Sequence, residues 1–195
     1  MAFAATAAHE QRRQFAEDLS EEFLYWACKQ RDGFPSSAGT TVAAAFASLV
    51  DPGQAIELIW PYRSWDGARA AELRQPSAEA QLDARSRFCN SFHRLGDPYP
   101  DTMTSLDRGK IVVLVARVFD NWRRSSTGLI DLPLQDDRPI GLHAVAGVGY
   151  EVDGTDCRII IRNSWGSSWG DSGYGYFSGT YFRAHVLSAW LLGDA

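Results

Sequence analysis

Two apolar segments near the end of the chain restrict the possible fold more than any other feature, because a short turn separates them. The segments are HAVAGVGYEV (143–152) and CRIIIRNSW (157–165), and the intervening DGTD (153–156) has the composition of a turn. Both segments are rich in β-branched and apolar residues, which indicates strands. A hairpin is therefore predicted, and GKIVVLVARVF (109–119) and GYGYFSGTYF (173–182) hold further strand candidates.

The first part of the chain has helical patterns instead. Residues 1–17 read as a helix whose first turns are apolar on almost every side. Asp18 is the predicted N-cap of a second helix, DLSEEFLYWACKQ, and Thr40 or Thr41 can cap a third, VAAAFASLV, which DPG then ends. Helices precede strands without βαβ alternation. The order predicts an α+β protein with a helical lobe followed by a sheet or barrel lobe.

Composition and charge exclude several classes of function. The chain has 195 residues, a net charge of −5 and only short basic runs, so nucleic-acid binding is not expected. No apolar run approaches the ~20 residues of a membrane-spanning helix, and the Ala-rich start lacks the basic residues of a signal peptide. Cys28, Cys89 and Cys157 are odd in number and widely spaced, which favours free thiols in a reducing compartment, the cytoplasm.

Two common catalytic patterns are not supported. Residues 166–170 match the G-x-S-x-G nucleophile elbow, but the DSGYGYF that follows is strand-like where that motif needs a helix. His185 is the only candidate base after it. The four histidines and three cysteines have no metal-ligand spacing. Neither a hydrolase elbow nor a metal site is predicted.

A third pattern combines a histidine with an asparagine among tryptophans. His143 begins one strand of the predicted hairpin and Asn163 ends the other, so pairing would bring both side chains to one end of the sheet. The Asn carbonyl could accept the Nδ1–H of the imidazole and leave Nε2 facing a nucleophile. Trp165 could cover that hydrogen bond. A histidine at the start of a strand more often has a structural role when it is considered alone. The nearby asparagine and tryptophans favour a catalytic pair instead.

These segments closely resemble the papain-like cysteine peptidases. In that family the histidine lies in H-A-V-x-x-V-G-Y and the asparagine in N-S-W-G-x-x-W-G-x-x-G-Y. Each fixed position is matched here: His143, Ala144, Val145, Val148, Gly149 and Tyr150, then Asn163, Ser164, Trp165, Gly166, Trp169, Gly170, Gly173 and Tyr174. Weaker likeness extends to DLSEEFLYW, to GTTVAAAFASLV…WPY and to LDRGKIVVLVARVF, which together touch most of the chain.

The resemblance implies a two-lobed papain-like fold, with a helical lobe over residues 1–104, an antiparallel β-barrel-like lobe over 105–195 and a substrate cleft between them. It implies hydrolysis of peptide bonds in a peptide or protein substrate, with neither metal nor organic cofactor. His143 would act as base and then acid, Asn163 would orient it and Trp165 would shield the pair. Three residues are expected along the substrate cleft: Leu142, Ala144 and, on the opposing wall, Gly39.

The family's nucleophile stands at the start of the central helix, in C-G-S-C-W-A-F. Met1-Ala2-Phe3 falls where W-A-F belongs, so the catalytic cysteine is expected immediately before Met1, and an oxyanion glutamine further upstream. A helix N-terminus beside an imidazolium lowers a thiol pKa, which is why the cysteine belongs there. The 195-residue chain is thus expected to be inactive. A non-catalytic peptide-binding module and a thiol acyltransferase remain alternatives, as does control by an inhibitor or prodomain.

Overall fold

The computed structural model describes residues 1–13, 15–34, 37–63, 74–153 and 156–193. Seven helices are described: α1 (Ala2–Arg13), α2 (Glu21–Lys29), α3 (Val42–Val50), α4 (Ala78–Ala84), α5 (Pro98–Asp107), α6 (Asp120–Arg124) and α7 (Gly179–His185). The strands are β1 (Phe92–Arg94), β2 (Val112–Phe119), β3 (Leu129–Ile130), β4 (Pro139–Asp153), β5 (Asp156–Arg162), β6 (Tyr174–Phe177) and β7 (Val186–Leu192). No helix in these ranges is long and apolar enough to cross a membrane.

The chain forms two compact units. The first contains Met1–Phe92 and the chain end from Leu192, and the second contains His93–Leu191. The division falls earlier in the chain than residue 104, so α5 belongs to the second unit.

The first unit is built from α1 to α4, with the apolar side chains of Phe23, Leu24, Phe46 and Leu49 fully buried. The N-cap of α2 is Ser20 rather than the predicted Asp18, because the Ser20 hydroxyl accepts the Phe23 N–H at 3.0 Å. Thr41 caps α3 as predicted, by accepting the Ala44 N–H at 3.1 Å. Residues 64–73, which precede α4, lie outside the described residues.

The second unit is organised by a seven-stranded sheet in the order β1-β7-β2-β4-β5-β6-β3. Strand β4 is antiparallel to β2 on one side and to β5 on the other, which confirms the predicted hairpin. Strands β3 and β6 pair in parallel, so the sheet is mixed, and in the described residues it does not close into the expected barrel. Two-residue β3 and three-residue β1 form the edges, and closure would require those edges to pair.

One face of this sheet supplies the main core of the second unit. Val112, Leu114 and Ala116 of β2 alternate inward, as the two-residue period of a strand requires. Helices α6 and α7 add large aromatic side chains to the same cluster, including Trp122 and Tyr181, both fully buried. Short helices within a β-rich segment were not predicted, since neither has a long helical period.

Candidate active site

His143 lies inside β4, not at its first residue, because the strand already begins at Pro139. Across the ladder its partner is Ala116 of β2. On the other side the register pairs Ala146 with Arg162, the last residue of β5, so Asn163 leaves the sheet next to the imidazole. The hairpin thus brings the two predicted side chains together, as the short DGTD turn indicated.

The imidazole and the amide are joined by a hydrogen bond of 2.8 Å between Nε2 of His143 and Oδ1 of Asn163. The prediction that Nδ1 makes this contact is wrong. Arg162 is the residue opposite Ala146, and Asn163 follows it, so the Asn163 amide lies diagonally from His143. The imidazole therefore reaches the amide with Nε2, the ring nitrogen that is farther from the backbone.

A backbone group determines which way the amide of Asn163 faces. The Ser164 N–H donates to Asn163 Oδ1 at 2.8 Å, and only an oxygen can accept at that position. The same oxygen must therefore accept from His143, so Nε2 carries the proton of the neutral ring. Nδ1 is left with the lone pair, and it is the basic nitrogen of the site.

The surroundings of His143 favour the neutral ring. Burial lowers the pKa of His143, because an imidazolium is poorly solvated there, and the Asn163 hydrogen bond partly opposes this by favouring the protonated form. The net shift is downward from an ordinary value of 6.5. At neutral pH the ring is consequently uncharged, with Nδ1 unprotonated.

Three tryptophans enclose the pair. The Trp165 ring lies 5.3 Å from the imidazole by ring centroids, with an interplanar angle of 36°, and is 36% exposed. Trp122 lies beneath, edge-on to His143 at 6.3 Å and 82°. Trp169 contacts both other indoles, at 5.6 Å and 6.3 Å. These rings keep water from the hydrogen bond, and Asn163 is only 4% exposed.

The loop after Asn163 folds back through backbone hydrogen bonds. Asn163 N–H donates to the carbonyl of Gly173 at 3.0 Å, and Gly173 N–H to that of Trp169 at 2.8 Å. Gly170 has a φ of +57°, and a Cβ there would lie 2.3 Å from the Tyr174 carbonyl oxygen. Only glycine fits this position. The path of the loop that holds Trp165 and Trp169 thus explains the glycine at position 170.

A sequence model of the papain family cysteine proteases matches residues 1–184, nearly the whole chain. The chain belongs to this family.

Individual relatives agree with the assignment to the papain family. Peptidase 1 of Psoroptes ovis is 30% identical over 162 residues, covering 82% of this chain and 46% of that protein. Xylellain, a cysteine protease from Xylella fastidiosa, matches all of this chain and 78% of its own with a TM-score of 0.85 and 25% identity. The bromelain protease from Ananas comosus, solved with the E64 inhibitor, has a TM-score of 0.74 at 19% identity, over 100% of this chain and 88% of its own.

These similarities confirm the papain-like α+β fold. The papain-family chain spans about half the length of the Peptidase 1 proteins from Psoroptes ovis and Dermatophagoides farinae.

The predicted substrate-contacting residues of this papain-family domain have contrasting environments. Leu142 is 63% exposed and Ala144 only 3% exposed, and both side chains lie on the face of β4 opposite that of His143. Gly39 belongs to the first unit. Its N–H donates to Ser37 Oγ at 3.2 Å, and its carbonyl accepts from Lys29 Nζ at 3.0 Å. Their contact with substrate stays a prediction.

The three cysteines lie in different environments. Burial raises the pKa of Cys28 to about 11, and Cys89 is buried as well. Cys157 pairs with Val152, at the far end of the β4–β5 hairpin. Val152 lies nine positions after His143 along β4, a distance of roughly 30 Å at about 3.3 Å per residue.

Two residues of the site were not found from the sequence. Trp122 lies in the short helix α6, and Tyr181 lies in α7, where it accepts the Trp122 indole N–H at 2.8 Å. The only signal was the abundance of tryptophan, seven in the chain, which does not say which indole packs on the imidazole. Among the described residues no group of three His, Cys, Asp or Glu side chains is placed to hold a metal ion.

Proposed function

We propose that this papain-family domain hydrolyses peptide bonds by a thiol–imidazole mechanism in which His143 is the base and Asn163 orients it. The observation that carries the proposal is the Asn163 oxygen, which accepts from both Nε2 of His143 and the backbone N–H of Ser164. This arrangement leaves Nδ1 as the proton acceptor. The same carbonyl can hold Nε2–H in the neutral ring and in the imidazolium, so the ring need not turn during the reaction.

The proposed reaction has two stages. Nδ1 of His143 takes the proton of a cysteine thiol, and the thiolate attacks the carbonyl carbon of the peptide. The C–N bond breaks, the amine leaves with the proton from Nδ1, and an acyl thioester remains. Water then attacks the thioester while Nδ1 takes its proton, the C–S bond breaks, the acid is released, and the cysteine sulfur recovers the proton from Nδ1. Trp165 shields the Asn163–His143 hydrogen bond throughout.

The proposed nucleophile is a cysteine directly before Met1 in a longer polypeptide. The cysteines of the 195-residue chain argue for this. A thiol with a pKa of about 11 has almost no thiolate at neutral pH, which argues against Cys28 as the nucleophile. Cys157 is at the wrong end of the hairpin from His143. The 195-residue chain alone is therefore expected to have little or no peptidase activity.

The proposed partners are peptide or protein substrates, with Leu142, Ala144 and Gly39 among the contacting residues. Inhibitor and prodomain binding are proposed by analogy: the bromelain structure contains E64, and digestive procathepsin L 3 of Tenebrio molitor is a proenzyme with the same fold at 22% identity. A compartment that keeps the three thiols reduced is likewise proposed.

The test compares two proteins in a fluorogenic peptide assay: the 195-residue chain, and the same chain extended upstream with a cysteine immediately before Met1. The extended protein should cleave the peptide and lose activity with a thiol-blocking reagent. Its His143→Gln variant should lose about 10²–10⁴-fold in kcat/KM, whereas His93→Gln, a change on an exposed strand, should not.

Thiol-dependent turnover by the 195-residue chain would contradict the proposed nucleophile. An extended protein that binds peptides without cleaving them would contradict the peptidase proposal and favour the peptide-binding module.

A further inference from the structure

The indole of Trp122 lies between the catalytic pair and helix α7. Its ring is fully buried and contacts the imidazole of His143 edge-on, with centroids 6.3 Å apart. It also packs on Trp165 at 5.9 Å, the ring that covers the other side of the imidazole. The orientation of this one indole therefore sets the shape of the space in which His143 sits.

Two hydrogen bonds fix Trp122 at opposite ends. Its Nε1–H donates to the hydroxyl of Tyr181 at 2.8 Å, and its backbone carbonyl accepts from Trp169 Nε1 at 2.8 Å. A buried indole N–H without an acceptor is costly, so the first bond favours one ring orientation over its alternatives. Packing alone would hold the ring less uniquely, because an indole can rock within an apolar cluster.

The Tyr181 hydroxyl is itself tied to the sheet. It donates to the backbone carbonyl of Arg117 in β2, and Arg117 follows Ala116, the residue opposite His143. Burial raises the pKa of Tyr181 to about 12, so the hydroxyl keeps the proton that it donates. A continuous path thus runs from the strand beside His143, through the hydroxyl and the indole, to the imidazole.

We propose that Tyr181 is a positioning residue for His143, and that its hydroxyl holds the Trp122 indole against the imidazole. This inference rests on the proposed role of His143 as base. Tyr181 does not touch His143 and takes no part in bond making. Its effect passes through Trp122: without the hydroxyl, the indole loses its fixed orientation, water gains access to the imidazole, and the ring titrates more like an exposed histidine.

Other groups that can influence the titration lie around Tyr181. His185 packs on the Tyr181 ring at 5.0 Å and on Phe119 at 4.8 Å, and burial lowers its pKa. The Arg117 guanidinium acts electrostatically on both Tyr181 and His185. The imidazole signals of His143 and His185 must therefore be assigned separately.

The test is a pH titration of the histidine rings by nuclear magnetic resonance in the 195-residue chain, comparing Tyr181→Phe with Tyr176→Phe. Both changes remove one hydroxyl from the second unit. The Tyr176 hydroxyl donates to Asp171 at 2.8 Å, away from Trp122. In Y181F the midpoint of His143 should rise towards the value of an exposed imidazole, and the Trp122 indole N–H should exchange faster with water. In Y176F both should match the wild-type chain.

Trp122→Phe serves as a second variant, because it removes the other partner of the same hydrogen bond while retaining an aromatic ring. The His143 midpoint should rise in W122F, and adding Y181F should raise it no further. An unchanged midpoint in folded Y181F, or equal shifts in Y181F and Y176F, would overturn the proposal. If Y181F does not fold, an unchanged midpoint in W122F overturns it.

Because the readout is the titration of an imidazole, the result does not depend on peptidase activity. A chain without any activity can still confirm that Tyr181 positions His143.

Discussion

The carbonyl oxygen of Asn163 accepts two hydrogen bonds, so replacing Asn163 by leucine affects both the protonation of His143 and the stability of the loop. The hydrogen bond to Asn163 raises the pKa of His143 against the effect of burial. In Asn163→Leu the His143 midpoint should consequently fall below that of the wild-type chain. Leaving buried donors unpaired should also lower the free energy of unfolding by about 1–3 kcal/mol.

The measurement is a ring titration of His143 together with denaturant unfolding. Asn121→Leu is the control, since Asn121 donates to the Asp131 carbonyl at 2.8 Å in the same unit without contacting His143. A His143 midpoint that rises in Asn163→Leu would contradict the assigned direction of the hydrogen bond.

The three thiols should differ in reactivity. Cys28 is buried with a pKa of about 11 and Cys89 is buried, whereas Cys157 is partly exposed. A thiol-reactive probe should therefore label Cys157 first in the folded chain, and Cys28 only when the protein unfolds. Peptide mapping by mass spectrometry identifies the labelled residues. If Cys28 were labelled as fast as Cys157, Cys28 would again be a candidate nucleophile.

At the residue scale, the sequence predicted that His143, Asn163 and Trp165 lie together, but not which atoms of the imidazole and the amide form the hydrogen bond. The quoted motifs are local, so they locate these side chains. The choice between Nδ1 and Nε2 depends on the register of β4 and β5, which no local pattern contains. Trp122 and Tyr181 are separated by 59 residues in the sequence, and only the folded sheet brings them together.

At the scale of the structural elements, Ser20 and Asp18 are the two candidate N-caps of helix α2, and their effects on stability can be compared. Ser20 is fully buried; its hydroxyl accepts the Phe23 N–H and donates to the Trp60 carbonyl at 2.5 Å. Ser20→Ala should lower the free energy of unfolding by about 1–2 kcal/mol. Asp18→Ala should cost less, because Asp18 does not cap the helix. Thermal and denaturant unfolding measure both, and a larger loss in Asp18→Ala would contradict the assignment.

The loop between β5 and β6 offers a matched pair of glycines. Both have positive φ, but a Cβ at Gly170 would lie 2.3 Å from a backbone oxygen, whereas one at Gly166 would meet nothing within 4 Å. Gly166→Ala should cost only the conformational strain, about 1–2 kcal/mol. Gly170→Ala should cost at least about 2 kcal/mol more, because the backbone must move. Equal losses in unfolding free energy would contradict the described loop path.

At the element scale, sequence patterns located most strands and helices but not their ends. Both Asp18 and Ser20 precede α2 and have side chains that can cap it. Ser20 is the cap, and its hydrogen bond to the carbonyl of Trp60, forty residues away, favours that choice. The hairpin was predicted because its turn is short. Helices α6 and α7 were missed because each is stabilised by packing on the sheet rather than by its own period.

For the whole molecule, buried carboxyl groups make stability depend on pH. Burial, together with Asp18 and Glu21, raises the pKa of Glu10 to about 7. The folded chain therefore holds this proton to a higher pH than the unfolded chain, whose value is 4.5. The stabilisation is complete below about 4.5 and is lost as the pH rises to about 7. The buried His143 and His185 act in the opposite direction, because their lowered pKa values favour the folded state as pH rises towards 6.5.

Glu10→Gln isolates the carboxyl contribution, since glutamine can still accept the Leu19 N–H that Glu10 binds at 2.8 Å. Relative to wild type, this variant should gain stability as the pH rises from 4.5 to 7, with no further gain above. Denaturant unfolding at several pH values measures the difference. Glu79→Gln, an exposed position on α4, is the control, and an identical pH dependence in both variants would contradict the raised pKa.

At this scale, the order of helices and strands predicted the α+β class and the motifs predicted the papain family. The expected barrel does not form among the described residues, because closure requires the edge strands β1 and β3 to pair. Both strands are so short that their sequences do not indicate whether they pair. Such long-range pairing is a property of the assembled sheet rather than of any segment.

Strand β4 pairs with β2 from Pro139 to Gly147 and with β5 from Ala146 to Asp153, and His143 lies in the part that is paired with β2. A strand paired within a sheet opens less readily than the loops, which fluctuate far more often. The amides of β4 that pair with β2 near the imidazole should accordingly exchange their protons with solvent more slowly than those of the loops. A change in the length of a neighbouring loop should therefore leave the imidazole in its place.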